Sequence, residues 1–245
     1  MGSLSKLSKL LTGQSVKAEA PDLRELLRYA EKIAGIENVI AVVSDLRGAT
    51  SRIFPGRLGA SLGLADYFAE DSIWEKAILE LMTEEEREEK YLAELRFFNF
   101  LRHVPRTARR DYYMVSRLRV RPRDGSVVEL THRMYYIYAD DSETVAHALC
   151  LYGRSVFDFP GKSVVVNSLT GVSEELTSAA DESILTRREQ QVLRLIDLGK
   201  TSAEIAELLS VSKNTVSRHR QGIRAKLQVK NSLEACRIAK ALKII

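Results

Sequence analysis

Cysteine is scarce in this 245-residue chain: there are two, Cys150 and Cys236, far apart in sequence. Two distant thiols supply neither a disulfide framework nor a metal-ligand spacing, and they read as buried or semi-buried thiols in a reducing compartment. Apolar runs of membrane-spanning length are missing as well. Leu4, Leu7 and Leu11 fall at helical spacing, but Lys6 and Lys9 interrupt the stretch before it reaches the length of a signal core, so it reads as a loose arm or short helix. These absences predict a cytoplasmic protein with no membrane partner. There is no internal repeat at solenoid spacing. His132 and His147 fall in strand-like segments with no Ser, Cys or carboxylate spaced for catalysis, which predicts no enzyme activity, no metal and no cofactor.

What is present is enough apolar sequence, 45% of the residues, for folded cores, and a length that fits one large domain or two ordinary ones. The net charge of +4 is unevenly placed. Residues 184–245 carry thirteen Lys and Arg against five Asp and Glu, and the preceding 183 residues carry 24 against 28. A basic segment on a mildly acidic body fits a polyanion-binding module. Residues 167–183, rich in Ser, Thr, Ala, Asp and Glu, read as a linker. The expected organisation is an arm over 1–20, a domain over 21–166, the linker over 167–183 and a basic domain over 184–245.

The first domain reads as mixed. Leu23, Leu26, Leu27, Ala30 and Ile33 form a helical stripe, and Val39–Ser44 a β-branched strand. Gly48–Gly63 reads as turns with a short strand. Trp74–Val104 is helical with a break near Met82-Thr83, and the charge run Glu84–Lys90 reads as a solvated helix start. Tyr112, Met114, Ser116, Leu118 and Val120 alternate on one face of a strand, Asp124-Gly125 turns, and Ser126–Tyr138 returns. Asp140-Asp141 turns again, and Thr144–Val156 and Ser163–Val166 complete an antiparallel set. An antiparallel sheet with helices between its early and late strands resembles a PAS-like sensor domain. The aromatics Phe97, Phe98, Phe100, Tyr135, Tyr136 and Tyr138 offer a pocket lining, but read first as core. Arg102, Arg106, Arg109 and Arg110 with His103 offer an anion site, but read first as an exposed helix end, with basic residues on the negative dipole.

The basic segment carries the sharper pattern. Thr186 with Glu189, and Thr201 with Glu204, each fit a capping box. The first opens a helix with Val192, Leu193 and Ile196 inward that stops at Gly199. The second opens one with Ile205, Leu208 and Leu209 inward. Ser210-Val211-Ser212 is a turn, Ser212 caps a third helix with Val216, Ile223 and Leu227 inward, and a fourth begins at Asn231 or Ser232. A short helix, a tight turn and a basic helix make a helix-turn-helix. Leu185, Thr186, Arg188, Glu189, Val192, Leu193, Gly199, Glu204, Ile205, Ala206, Leu209, Val211, Ser212, Thr215, Val216, His219, Ile223, Lys226 and Leu227 stand in the order and spacing of the LuxR-type (GerE-like) DNA-binding domain, which this segment resembles. It departs from that pattern at Ser202-Ala203, at Ser217, and at Gly222, which costs the third helix about 1 kcal/mol relative to alanine.

The face opposite Val216, Ile223 and Leu227 carries Asn214, Ser217, Arg218 and Gln221. Arg is suited to guanine O6/N7, and Asn or Gln to adenine. The resemblance places base reading at Ser217, Arg218 and Gln221. Arg187, Lys200, Thr201, Lys213, Thr215, Arg220 and Lys226 are candidates for phosphate contacts, with the helix N-termini at Thr201 and Ser212. His219 reads as packed at the helix edge. On the fourth helix, Leu233 and Cys236 read as packed on the core, and Ala235, Ile238, Ala241 and Leu242 as a free face. The resemblance makes that face a homodimer contact, although packing on the first domain is nearly as good a use for it.

The expected class is α+β, a PAS-like antiparallel sheet with helices followed by an all-α four-helix domain. The expected function is a transcription regulator that binds double-stranded DNA and works with RNA polymerase. Its first domain senses a small-molecule effector or mediates dimerisation. The alternative is a sigma-like initiation factor. The first domain lacks the acidic pattern of a phosphoacceptor receiver, with only Asp45 after the first strand. Trp74, the single tryptophan, does not make the signature of lipid-type autoinducer binding.

Overall fold

The computed structural model describes residues 7, 8, 11, 21–140, 144–155, 158–177, 185–227, 229, 231–241 and 245, without the side chains of 225, 226, 238 and 241. Strands β1 (Ile40–Asp45), β2 (Thr50–Phe54), β3 (Ala69–Glu70), β4 (Tyr112–Val120), β5 (Val128–Tyr138), β6 (Val145–Arg154), β7 (Ser163–Asn167) and β8 (Ser173–Glu175) form one antiparallel sheet in the order β3-β2-β1-β6-β5-β4-β7-β8. The α+β class holds, as does the expected succession of early strands, helices and late strands. In β4 the two-residue period buries Met114, Ser116, Leu118 and Val120 and exposes Arg117 and Arg119. Gly125, at φ 77°, takes the left-handed turn after it, and the Ser126 N–H donates to Asp124 Oδ1 at 2.9 Å.

Strand β1 is buried on both faces. Ala41 and Val43 pack outward under helix α1 (Leu23–Ile36), where Ala30 and Ala34 let it approach Leu149 and Leu151 of β6. Ile40 and Val42 face the inner core, which is covered by α2 (Gly56–Ser61), α3 (Lys76–Glu80) and α4 (Glu84–His103). Helix α2 was not expected in the Gly-rich 48–63 stretch. The break before α4 falls as predicted, and Thr83 and Glu86 make a capping box there. Phe97 stacks on Tyr136 at 5.4 Å in the core. Tyr135 points to the opposite face of the sheet and stacks on Tyr113. A 3-10 helix, Arg106–Asp111, leads from α4 into β4.

Lys90 overturns the expectation of a wholly solvated charge run. Its side chain is 1% exposed, and Nζ lies 3.1 Å from Glu75 Oε1 and 2.5 Å from Glu94 Oε1. Tyr152 donates its hydroxyl to Glu75. Burial works against the ammonium, but the two facing carboxylates override it and hold Lys90 well above its ordinary value. Burial pushes Glu94 up, whereas Lys90 and Tyr152 overcome burial at Glu75 and hold it low. Lys90 ends up inside because it shares the inward face of α4 with Glu94, one turn on.

The linker reading needs correction over its first half. Ser173–Glu175 pairs with β7 (Val164 opposite Glu175), and the Leu176 N–H donates to the Ser163 carbonyl at 2.9 Å. An exposed three-residue edge strand made of Ser and Glu has no apolar period by which to be read. Of the N-terminal arm, Leu7, Ser8 and Leu11 are described, and the two leucines are buried. The rest of the arm, Asp141, Val156 and residues 178–184 lie outside the described residues. Cys150 and Cys236 are free and buried. Among the described residues no helix is long and apolar enough to cross a membrane.

Candidate nucleic-acid interface

The C-terminal region consists of α5 (Arg187–Asp197), α6 (Ser202–Leu208), α7 (Lys213–Leu227) and α8 (Ser232–Ala241). Both expected capping boxes are formed. The Thr186 N–H donates to Glu189 Oε2 and the Glu189 N–H to the Thr186 hydroxyl, and Thr201 and Glu204 repeat the pair. The Thr201 N–H and hydroxyl hold the Glu204 carboxyl below its usual value. Helix α5 ends at Gly199, whose φ of 79° suits glycine, with the Gly199 and Lys200 N–H groups returning to Ile196 and Leu195 carbonyls. The turn between α6 and α7 passes through Ser210 at φ 52°, and Ser212 Oγ accepts the Thr215 N–H at 3.1 Å. Asn231 caps α8 by accepting the Glu234 N–H at 2.9 Å.

Val192, Leu193, Ile205, Val216, Ile223 and Leu227 are buried and hold α7 against α5 and α6, as expected. Leu208 is not part of that core: it is 59% exposed. Ala206 is buried in its stead, which turns the inward stripe of α6 toward Ile205, Ala206 and Leu209.

Arg188 and Arg220 tie the unit together. Arg188 Nη2 donates to the Leu209 carbonyl at 2.7 Å, satisfying the open C-terminal end of α6 from α5. Arg220 Nη1 and Nη2 donate to the hydroxyls of Ser202, at 2.7 Å, and Ser232, at 3.2 Å. One guanidinium thus joins the N-terminal ends of α6 and α8 to the middle of α7.

Asn214, Ser217, Arg218 and Gln221 are all exposed, and at 3.6 residues per turn they share an arc of about 100° facing away from Val216, Ile223 and Leu227. The structure therefore brings the four proposed base-reading side chains onto one face. Of the proposed phosphate contacts, Arg187 and Lys213 are exposed, and Lys200 is exposed beside Glu204, 3.6 Å from its carboxylate. Thr201 is exposed, but its hydroxyl and N–H serve the cap. Thr215 is half-buried, and its hydroxyl pairs with Ser212 at 2.9 Å. Arg220 is corrected to a tie inside the domain, half-buried between two serines. The side chain of Lys226 lies outside the described residues.

The proposed dimer face changes too. Ala235 is fully buried and forms an inward stripe with Cys236 and Ala239, so it leaves that face. Leu233, expected inward, is 64% exposed, because it stands two residues before Ala235 and so on the opposite side of α8. Leu242 and the side chains of Ile238 and Ala241 lie outside the described residues.

Three packed helices presenting a polar, cation-bearing face on the helix after a tight turn define a helix-turn-helix DNA-binding domain. Residues 183–239 match the family model of bacterial regulatory proteins, luxR family (GerE), and this C-terminal domain is a LuxR-type helix-turn-helix. Over 70 residues the chain is 39% identical to the transcriptional activator protein EsaR of Pantoea stewartii subsp. stewartii, covering 29% of this chain and 28% of that one. Over 101 residues it is 39% identical to the transcriptional regulatory protein DesR of Bacillus subtilis, covering 41% and 45%. The chain therefore spans less than half the length of either relative. Escherichia coli SdiA aligns over 99% of this chain and 98% of its own at 17% identity, with a TM-score of 0.30, a level at which the overall superposition carries no argument.

Proposed function

We propose that this protein is a transcription regulator that binds duplex DNA through its C-terminal domain and takes its input through the N-terminal sheet domain. The observation that carries the reading is the shared exposed face of Asn214, Ser217, Arg218 and Gln221 on a helix whose other side is locked into a trihelical core. Helix α7 enters the major groove, Arg218 pairs with guanine O6/N7, Asn214 or Gln221 reads adenine, and Ser217 lies over a neighbouring base edge. Arg187, Lys200 and Lys213 grip phosphates and set the register. The N-terminal domain senses a small-molecule effector or mediates dimerisation. Two copies read half-sites about one helical turn, ~34 Å, apart, in the cytoplasm and in concert with RNA polymerase. The named functions of the relatives, regulators in each case, support a non-enzymatic role. The extensive sheet that precedes the helices favours this reading over a sigma-like factor.

Selection of randomised duplex DNA by the purified full chain, followed by binding of the enriched and a scrambled duplex at two salt concentrations, tests it. A palindromic site that keeps its advantage as salt rises is the expected result. Arg218→Ala and Gln221→Ala should each relax preference at particular bases by about 1–3 kcal/mol. Absence of enrichment, with binding that vanishes for both duplexes in salt, overturns sequence-specific reading by this chain alone.

A further inference from the structure

The outward face of the sheet is not wholly covered by α1. Between α1 and the 3-10 helix runs a groove of about 660 Å³, within the size range of small-molecule sites, about 300–1,000 Å³. Its floor is apolar, formed by Ile137, Leu149 and Leu151. Two aromatic rings flank it: Tyr29 of α1, 53% exposed, and Tyr135 of β5, held in place by stacking on Tyr113 at 5.0 Å. Arg133 also lines it, its charge met by Glu37. The 3-10 helix brings Arg106 and Arg110 to the groove, with Asp140 the only acid besides Glu37 among its described lining residues. Arg110 is exposed and makes no hydrogen bond or ion pair among the described residues.

An apolar floor, aromatic sides and an uncompensated guanidinium form a consistent chemical set. A flat or short apolar body gains by displacing water from the floor and stacking on the tyrosines. A carboxylate or phosphate gains charge-assisted, two-pronged hydrogen bonds from an arginine. A second copy of this chain fits the face less well, because a two-fold contact centred there would bring the same arginines together across the seam. We propose that this groove is the effector site of the N-terminal domain and that its ligand is an organic anion, with a one- or two-ring apolar body on Tyr29, Tyr135 and the leucine floor and its acid group at Arg110. The proposal rests on the reading of this domain as the ligand-sensing input.

The test uses three naphthyl probes on the full chain, 1-naphthoate, its neutral isostere 1-naphthamide and 1-naphthyl phosphate, titrated calorimetrically. The expected result is one site per chain at which at least one of the two anions binds about tenfold or more tighter than the amide, with Arg110→Gln removing that preference. The anion that wins distinguishes a carboxylate from a phosphate ligand. Arg110 is exposed, so an unchanged thermal melt of the variant shows that the loss is local. No binding, equal binding of all three probes, or an anion preference that survives Arg110→Gln overturns the site. The same probes are then added to the selected DNA complex. A shift in DNA affinity of about threefold or more supports the effector role, and an occupied groove with unchanged DNA affinity overturns that role. Neither outcome bears on whether α7 reads DNA, which the selection measures without any probe.

Discussion

A methyl group placed on Gly222 would stand 3.0 Å from Glu189 Oε1, so where the middle of α7 crosses α5 a side chain fits only if that carboxylate gives way by a few tenths of an ångström. The carboxylate cannot easily withdraw, because its other oxygen is held by the Thr186 N–H at 2.8 Å and by the Thr186 hydroxyl at 3.0 Å. In an open helix, replacing glycine by alanine adds about 1 kcal/mol. Here Gly222→Ala is expected to lower the melting temperature of the C-terminal domain, since the gain in helix propensity is offset by displacement of a buried cap. A melting temperature above that of the parent chain would show that the crossing is looser than described.

Arg220 and Lys213 are both cations of α7, but they stand in different surroundings. Arg220 is engaged by Ser202 and Ser232, and Lys213 is exposed beside the turn. Lys213→Ala should reduce the slope of log K against log salt by about one unit and leave the melt unchanged. Arg220→Ala should lower the melt and leave the salt slope close to the parent value once binding is measured well below that melt. The reverse pattern would return Arg220 to the DNA surface.

What the sequence revealed of this domain is what is local in the chain. A capping box spans four residues, a buried stripe repeats every three or four, and Thr186–Glu189, Thr201–Glu204 and the Val216–Ile223–Leu227 stripe could be read directly. Arg188 stood in the family pattern, but its role did not show, because its acceptor, the Leu209 carbonyl, is 21 residues away. Arg220 was assigned to phosphate for the same reason. Ala235 and Leu233 exchanged roles because α8 is rich in small apolar residues, which leaves its phase ambiguous to a reading by periodicity alone. In the sheet domain β4 was legible from its alternation and β5 and β6 from the turns expected between them, whereas β3 and β8 carry too few residues to show a period. Of the proposed groove, the basic cluster around Arg110 and the Tyr135–Tyr138 aromatics were legible as candidates for an anion site and a pocket lining, but their meeting with Tyr29 was not, since these side chains come together only when the sheet has formed.

Lys90 offers a sharper test of the inner core. Lys90→Met keeps most of the volume but leaves Glu75 and Glu94 buried without their cation, and breaking a buried pair in this way costs about 3–5 kcal/mol. Adding Glu75→Gln and Glu94→Gln removes the stranded charges and should recover much of the loss. Urea unfolding followed by fluorescence of Trp74 reads both variants, because this single tryptophan packs edge-on against Tyr91 in the same core. A Lys90→Met variant within about 1 kcal/mol of the parent would place the trio in contact with water.

His132 should make the stability of the sheet domain depend on pH. The ring is fully buried, stacked on Tyr152 at 4.6 Å, with Ser116 Oγ 3.4 Å from Nδ1. Burial, then the positive charge of Lys90, hold its pKa well below the ordinary value. In the unfolded chain the ring takes a proton near pH ~6.5, while in the folded chain it stays neutral, so below that pH the unfolded state binds the extra proton. Stability contributed at neutral pH is therefore lost as the pH falls, at up to about 1.4 kcal/mol per unit. Glu75, with its lowered value, acts in the same direction at more acid pH, and Glu94, with its raised value, acts oppositely. Both are common to the parent and a His132→Phe variant, which retains a ring on Tyr152 and cannot titrate. Urea midpoints at pH 7.5, 6.5 and 5.5, read through Trp74, should fall more steeply for the parent than for the variant, with the divergence beginning near pH 6.5. Parallel curves would mean that the folded domain admits the proton at His132.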